Sequence, residues 1–217
     1  MAAKINKKVI ILGVVAAVVV AGLVAFFTVA GAEPEAAEIT VVGDPVPVLA
    51  ADAVPLGQDI AFGWDAPKVT GSDWKGNPVT IDPADGRAKL IVFLAHWCPH
   101  CQVEVPKIQA WLNETGGHPE VDMYGVATSN DRTRTNWPPG EWLEREGWTP
   151  PTVMDKNGKV ARSFGMRGTP FWAAVNSEGK VVYRAAGGVE VEGLLGFHEL
   201  ATQSMAELQD FIGQTGG

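Results

Sequence analysis

The apolar positions of this chain change their spacing several times, and each change marks an element. Residues 90–95, Leu-Ile-Val-Phe-Leu-Ala, run without a polar side chain, the pattern of a strand covered on both faces. Directly afterwards Cys101, Val105, Ile108 and Leu112 recur at spacings of four, three and four, which predicts one buried face of a helix beginning at Cys98. Pro106 lies within that helix and is expected to kink it, and Gly116-Gly117 ends it. Residues 121–128 return to strand character. Strand, helix and strand then form a βαβ unit with a parallel pair.

Further along, residues 129–148 are polar, carry Trp137, Trp142 and Pro138-Pro139, and read as a loop followed by a short helix over 140–146. Residues 150–155 predict a short strand, 155–158 a turn, and 160–164 a short helix ending at Gly165. Two strands, 171–175 and 181–185, are joined by a turn at Asn176-Ser177-Glu178-Gly179. Leu200, Met205, Leu208 and Ile212 predict one closing amphipathic helix over 200–212. Ahead of the βαβ unit, residues 57–68 hold an apolar cluster with Trp64. Gly76-Asn77-Pro78 is a turn signal before Val79-Thr80-Ile81, so a β-hairpin is expected there. No internal repeat is visible.

The N-terminus follows a different rule. Lys4, Lys7 and Lys8 precede an uncharged, mostly apolar run over residues 9–32, and a helix needs roughly 20 such residues to span a bilayer core. This predicts a cytoplasmic segment at 1–8, one transmembrane helix at 9–32, a Pro- and Ala-rich tether at 33–52, and an extracytoplasmic domain at 53–217. Ala30-Gly31-Ala32 also resembles a signal-peptidase site, which leaves a cleaved leader as the alternative. The run is longer than the roughly 7–15 residues of a signal h-region, which favours a retained anchor. Both versions put the domain outside the cytoplasm.

Charge removes some function classes. A formal net charge of −8 argues against nucleic acid or an anionic lipid surface as a partner. The chain has two cysteines, Cys98 and Cys101, too few for a disulfide framework or a four-thiolate zinc site. A CxxC pair that opens a helix after a strand points instead to redox chemistry. The unpaired N–H groups and dipole of the helix stabilise a thiolate at Cys98, the expected nucleophile. Cys101, one turn deeper on the buried face, is the expected resolving thiol, with burial raising its pKa. Trp97 is expected to pack beside the pair as an apolar rim. His96, His118 and His198 are read as structural or surface residues.

The order of strand, Trp97-Cys98-Pro99-His100-Cys101 helix, strand, helix, Thr169-Pro170, strand and strand resembles the thioredoxin fold. It resembles in particular the membrane-anchored TlpA/ResA-like thiol–disulfide oxidoreductases, over roughly residues 53–212. Glu104 and Pro106 match that branch's C-x-x-E-x-P continuation, and Gly165-Met166-Arg167-Gly168-Thr169-Pro170 matches its G-[VI]-x-G-[TV]-P segment. The resemblance implies an α/β fold: a central mixed β-sheet flanked by helices, with an N-terminal β-hairpin extension and one preceding transmembrane helix. It implies a redox-active disulfide between Cys98 and Cys101, and a cis-proline at Thr169-Pro170 whose backbone pairs with an extended substrate. Plain thioredoxins place a buried aspartate on the catalytic strand where this chain has Val92, so Glu104 becomes the candidate proton acceptor for Cys101. The Pro99-His100 dipeptide resembles DsbA-type oxidases, in which a protonated His100 would favour the Cys98 thiolate.

The resulting expectation is a cell-membrane enzyme acting on protein thiols and disulfides, apocytochrome c among the candidates, and served by a separate redox partner. The reductase direction is favoured and the DsbA-like oxidase kept as the alternative. No cofactor or metal is expected. A copper chaperone of the same fold is the alternative from another class, although that role usually uses CxxxC with a distant histidine. A thiol peroxidase would need a Thr-x-x-Cys and a partner arginine, which the chain lacks.

Overall fold

The computed structural model describes residues 38–215. The expected cytoplasmic segment 1–8, the membrane segment 9–32 and the start of the tether lie outside these residues. Among the described residues no helix is long and apolar enough to cross a membrane.

The elements follow in the order β1 (Thr40–Val42), β2 (Lys68–Ser72), β3 (Pro78–Ile81), β4 (Ala88–Leu94), α1 (Pro99–Thr115) and β5 (Val121–Ala127). After these come α2 (Pro139–Arg145), β6 (Thr152–Met154), α3 (Lys159–Ser163), β7 (Phe171–Val175), β8 (Val181–Ala186), α4 (Val191–Thr202) and α5 (Met205–Thr215). A five-stranded sheet runs β6-β5-β4-β7-β8. β4 pairs parallel with β5 and antiparallel with β7, so the sheet is mixed and the βαβ unit is present.

β4 explains its own unbroken apolar run. Alternate side chains of a strand face opposite sides of the sheet, and here both sides are covered. Leu90, Val92 and Leu94 join Val105, Ile108, Leu194 and Ala201 in one core layer. Ile91 and Phe93 join Val160, Phe164 and Phe171 in the other, where the Phe93 ring lies 5.5 Å from both phenylalanine rings. Lys89, also fully buried, directs its amine to Asp85 and to the Arg87 carbonyl.

α1 closes as expected. Gly116 adopts a left-handed conformation (φ 75°) and returns its N–H to the Leu112 carbonyl. The buried face of α1 is wider than the apolar spacing indicates, because Glu104, Gln109 and Trp111 are buried alongside Cys101, Val105 and Ile108. Pro106 sits on the exposed face.

Two expectations need correcting. The stretch to Asp52 is not a free tether from Thr40 onward. β1 pairs antiparallel with β2, turning the expected β2–β3 hairpin into a three-stranded sheet. Val46 and Leu49 are buried, and their N–H groups donate to the Ser163 and Gly165 carbonyls. Their periodicity is invisible in sequence because each packs singly against a distant element. The C-terminal tail is two helices, α4 and α5, broken at Gln203–Ser204. Ser204 and Glu207 form reciprocal side-chain-to-backbone bonds there, a capping box that starts α5.

Candidate active site

The site is built where β4 ends. Cys98 is extended (φ −73°, ψ 121°) at the N-cap of α1, with Pro99 in the first helical turn, where a missing N–H costs nothing. Its own N–H donates to the Ala95 carbonyl at 3.0 Å, closing the turn out of the strand. No side chain caps the helix, and the first turn holds no acidic residue. The free N–H groups of that turn are therefore left to the sulfur.

Both cysteines are free thiols in this structure, and their surroundings differ. Burial alone would raise the Cys98 thiol. The backbone N–H groups of Cys101 and His100, with the Thr169 and Cys101 side chains, outweigh it and hold Cys98 below its ordinary value. Cys98 keeps 5% of its surface exposed, and its Sγ donates to the Thr169 carbonyl at 3.3 Å. Cys101 is fully buried, and burial pushes its thiol far up; the neighbouring Cys98 adds to this. The Ala95 N–H reaches the Cys101 sulfur at 3.5 Å. The thiol that keeps a little exposure is thus the easier to ionise, and the fully buried one is held protonated. This asymmetry suits stepwise thiol–disulfide exchange.

Of the other expected residues, Thr169 lies against Cys98, and the Thr169–Pro170 peptide is cis. Glu104 is buried to 3% exposure and its carboxyl is pushed up by burial, opposed by the Val189 N–H and by the charge of Lys107. Its Oε1 accepts that N–H at 2.8 Å. The structure brings the His100 backbone N–H to the Cys98 sulfur, while the ring is exposed. Trp97 borders the site: its Nε1 donates to the Ser129 carbonyl at 2.7 Å and the Arg134 guanidinium lies 4.6 Å from its ring.

His96 is structural, as expected, and both of its ring nitrogens are engaged. Nε2 accepts the Asp131 N–H, so Nδ1 carries the proton and donates to the Thr135 carbonyl at 2.7 Å. His118 and His198 stack at 5.4 Å beyond the C-terminal end of α1, beside an open cavity of about 480 Å³ that neither cysteine lines. Burial lowers the His198 imidazole. Among the described residues, no group of three or more His, Cys, Asp or Glu is arranged to hold a metal.

Sequence reasoning missed Gly188 and Val189, which contact the Glu104 carboxyl. The only signal was a Gly187-Gly188 pair after a strand, which reads as an ordinary turn. It also missed the Ala95 N–H, since backbone donors carry no side-chain signature.

A mixed sheet with a dithiol at the amino end of the helix that follows its central strand defines a thioredoxin-fold thiol–disulfide oxidoreductase. The chain belongs to the Redoxin family, whose sequence model matches residues 43–200. It is 24% identical over 141 residues to the thiol–disulfide oxidoreductase ResA of Bacillus anthracis, covering 64% of this chain and 78% of that protein. The thioredoxin domain of a thiol–disulfide oxidoreductase from Bacteroides vulgatus superposes with a TM-score of 0.52 at 26% identity, over 66% of this chain and 99% of that one. A thiol:disulfide interchange protein from Chlorobium tepidum shares the fold with a TM-score of 0.54 at 20% identity, over 64% and 96% of the two chains.

Proposed function

We propose that the protein is a membrane-tethered disulfide reductase of the TlpA/ResA kind, working outside the cytoplasm on cysteine pairs of other proteins. The unequal pair of thiols, Cys98 held low and Cys101 held high, supports the exchange chemistry, and the C-x-x-E-x-P continuation through Glu104 and Pro106 supports the TlpA/ResA direction. The Cys98 thiolate attacks one sulfur of a substrate disulfide and forms a mixed disulfide, and the other substrate sulfur leaves as a thiolate. Cys101 gives its proton to Glu104, three residues along the same helix, and attacks the Cys98 sulfur. The second substrate sulfur leaves, carrying the electron pair. The products are a substrate dithiol and a Cys98–Cys101 disulfide. A separate redox partner then returns two electrons.

The Thr169 backbone beside Cys98 is the strip along which an extended substrate segment lies, and Trp97 forms its apolar border. Apocytochrome c, with its paired cysteines, is a substrate of the right chemistry. The extracytoplasmic setting is supported by the three lysines and the apolar run over residues 9–32.

A second reading, a disulfide-forming oxidase, is favoured by one observation. Stabilising the Cys98 thiolate stabilises the reduced enzyme and makes its disulfide more oxidising. The reduction potential separates the two. A value below about −220 mV identifies a reductase and one near about −120 mV an oxidase. In either direction Cys98→Ala abolishes exchange, and Cys101→Ser accumulates substrate bound to Cys98. A Cys98→Ala protein that exchanges disulfides at the parental rate overturns both.

A further inference from the structure

Glu104 is held from outside its own helix. Its Oε1 accepts the Val189 N–H at 2.8 Å, from the loop that joins β8 to α4. Its Oε2 lies against Gly188, so close that a β-carbon built there would stand 2.8 Å from the oxygen. That distance is shorter than real side-chain contacts allow. Gly188 is itself at the surface and Glu104 is not, and the space a Gly188 side chain would take is the space beside the Glu104 carboxyl. The charged groups facing the carboxyl are Lys107 on α1 and Glu190 in the same loop, and they are bonded to each other at 2.8 and 3.0 Å. Lys107 is thereby occupied by another carboxylate, and Glu104 keeps a single backbone donor.

We propose that Gly188 and Val189 are positioning residues for Glu104: the Val189 amide fixes one carboxyl oxygen, and the absent side chain at Gly188 leaves room for the other, setting the carboxyl for proton exchange with Cys101. The proposal rests on the reading of Glu104 as the acceptor of the Cys101 proton. It adds that the β8–α4 loop, remote in sequence from CxxC, sets the rate of the resolving step and leaves the attacking step alone. In that step the Cys101 S–H proton passes to the Glu104 carboxylate, the Cys101 thiolate bonds to the Cys98 sulfur, and the bond from Cys98 to the departing sulfur breaks with its electron pair.

Gly188→Ala tests this. The atom that a new methyl meets is the far end of a flexible side chain, so the carboxyl moves and the backbone need not. The reduced full-length protein is mixed with a chromogenic aryl disulfide. The first arylthiolate released reports attack by Cys98, and the second reports resolution by Cys101. In Gly188→Ala the first phase is expected to stay within about twofold of the parent. The second should slow by roughly 10- to 100-fold, the penalty for misplacing a reacting group by about 1 Å, with its pH midpoint shifted. Glu104→Gln should slow the second phase by about 100-fold or more, and adding Gly188→Ala to it should change nothing further.

If Gly188→Ala resolves at the parental rate and pH profile while Glu104→Gln does not, the positioning role is overturned and the Glu104 reading stands. If Gly188→Ala costs as much without the carboxylate as with it, the glycine acts on the fold and the proposal again fails. If Glu104→Gln itself resolves normally, the underlying reading is what fails. A measurement on the parent needs no variant: the Val189 amide resonance should titrate with the Glu104 carboxyl, and should cease to do so in Glu104→Gln. A Val189 amide indifferent to that titration refutes the contact.

Discussion

Two buried charged sites lie in different parts of this domain, and they are finished to different degrees. Arg184, on β8, is fully buried and has all three of its nitrogens engaged. Nε and Nη2 reach the two Asp59 carboxylate oxygens at 2.7 Å, and Nη1 reaches the carbonyls of Pro47 and Phe164 at 2.7 and 2.9 Å. Glu104, on α1, has one backbone N–H at 2.8 Å, and its own burial opposes its charge. A buried ion with an opposite charge and every nitrogen engaged is a joint, since removing either half strands the other. A buried carboxyl with one donor can change protonation at small structural cost, which is what a proton acceptor needs. Burial alone does not distinguish the two. The number of filled hydrogen bonds does.

Breaking the joint should give the larger effect. Arg184→Met leaves the Asp59 carboxylate without its partner and should lower unfolding free energy by about 3–5 kcal/mol. Denaturant titration measures the loss, and in the protein that remains folded the rate of Cys98 alkylation should match the parent. A loss below about 1 kcal/mol would mean that the Asp59 carboxylate finds water instead. Next comes the segment which that joint holds down. Leu49→Ala should lose about 2–5 kcal/mol, because Leu49 is buried against the rest of the domain and not free in a linker. A chain beginning at residue 38 should unfold like the parent domain, and one beginning at residue 53 should be less stable by at least the Leu49 loss.

The smallest effect sharpens the other side of the comparison. The Glu104 carboxyl is raised above its ordinary value of 4.5, so the folded protein binds that proton more tightly than the unfolded chain. The stability this supplies is complete below about 4.5 and is lost as pH rises through the folded value. Glu104→Gln should remove that slope and leave stability at neutral pH equal to or above the parent, even as resolution slows. Thermal unfolding of both proteins across the acid range decides it. A variant less stable than the parent at neutral pH would make Glu104 a second joint.

The same contrast explains what could be seen from the residues alone. Local periodicity exposed β4, α1 and the β7–β8 hairpin, and Cys98 and Cys101 announced themselves by spacing. Glu104 stood out through its place three residues beyond Cys101 and the family pattern. Arg184 was hidden, because an arginine in an otherwise apolar strand has no local sign of its partner Asp59, 125 positions earlier. The packing of Val46 and Leu49 failed to show for the same reason. The break between α4 and α5 was legible and overlooked, since Ser204 and Glu207 stand at capping-box spacing. Gly188 could not have been found, as its importance lies in an atom it does not have.

The imidazole of His96 fastens the backbone of residues 131 and 135 directly beside the redox motif, and Trp97 fastens residue 129. The loop over residues 129–135 is therefore tied to the same short turn that holds the sulfur. Under the proposed function, a partner would meet a mould already cast and lose little affinity to shaping it. On that reading, selectivity would fall to the partner's own pliancy, favouring chains that present a cysteine pair on a loose, extended stretch.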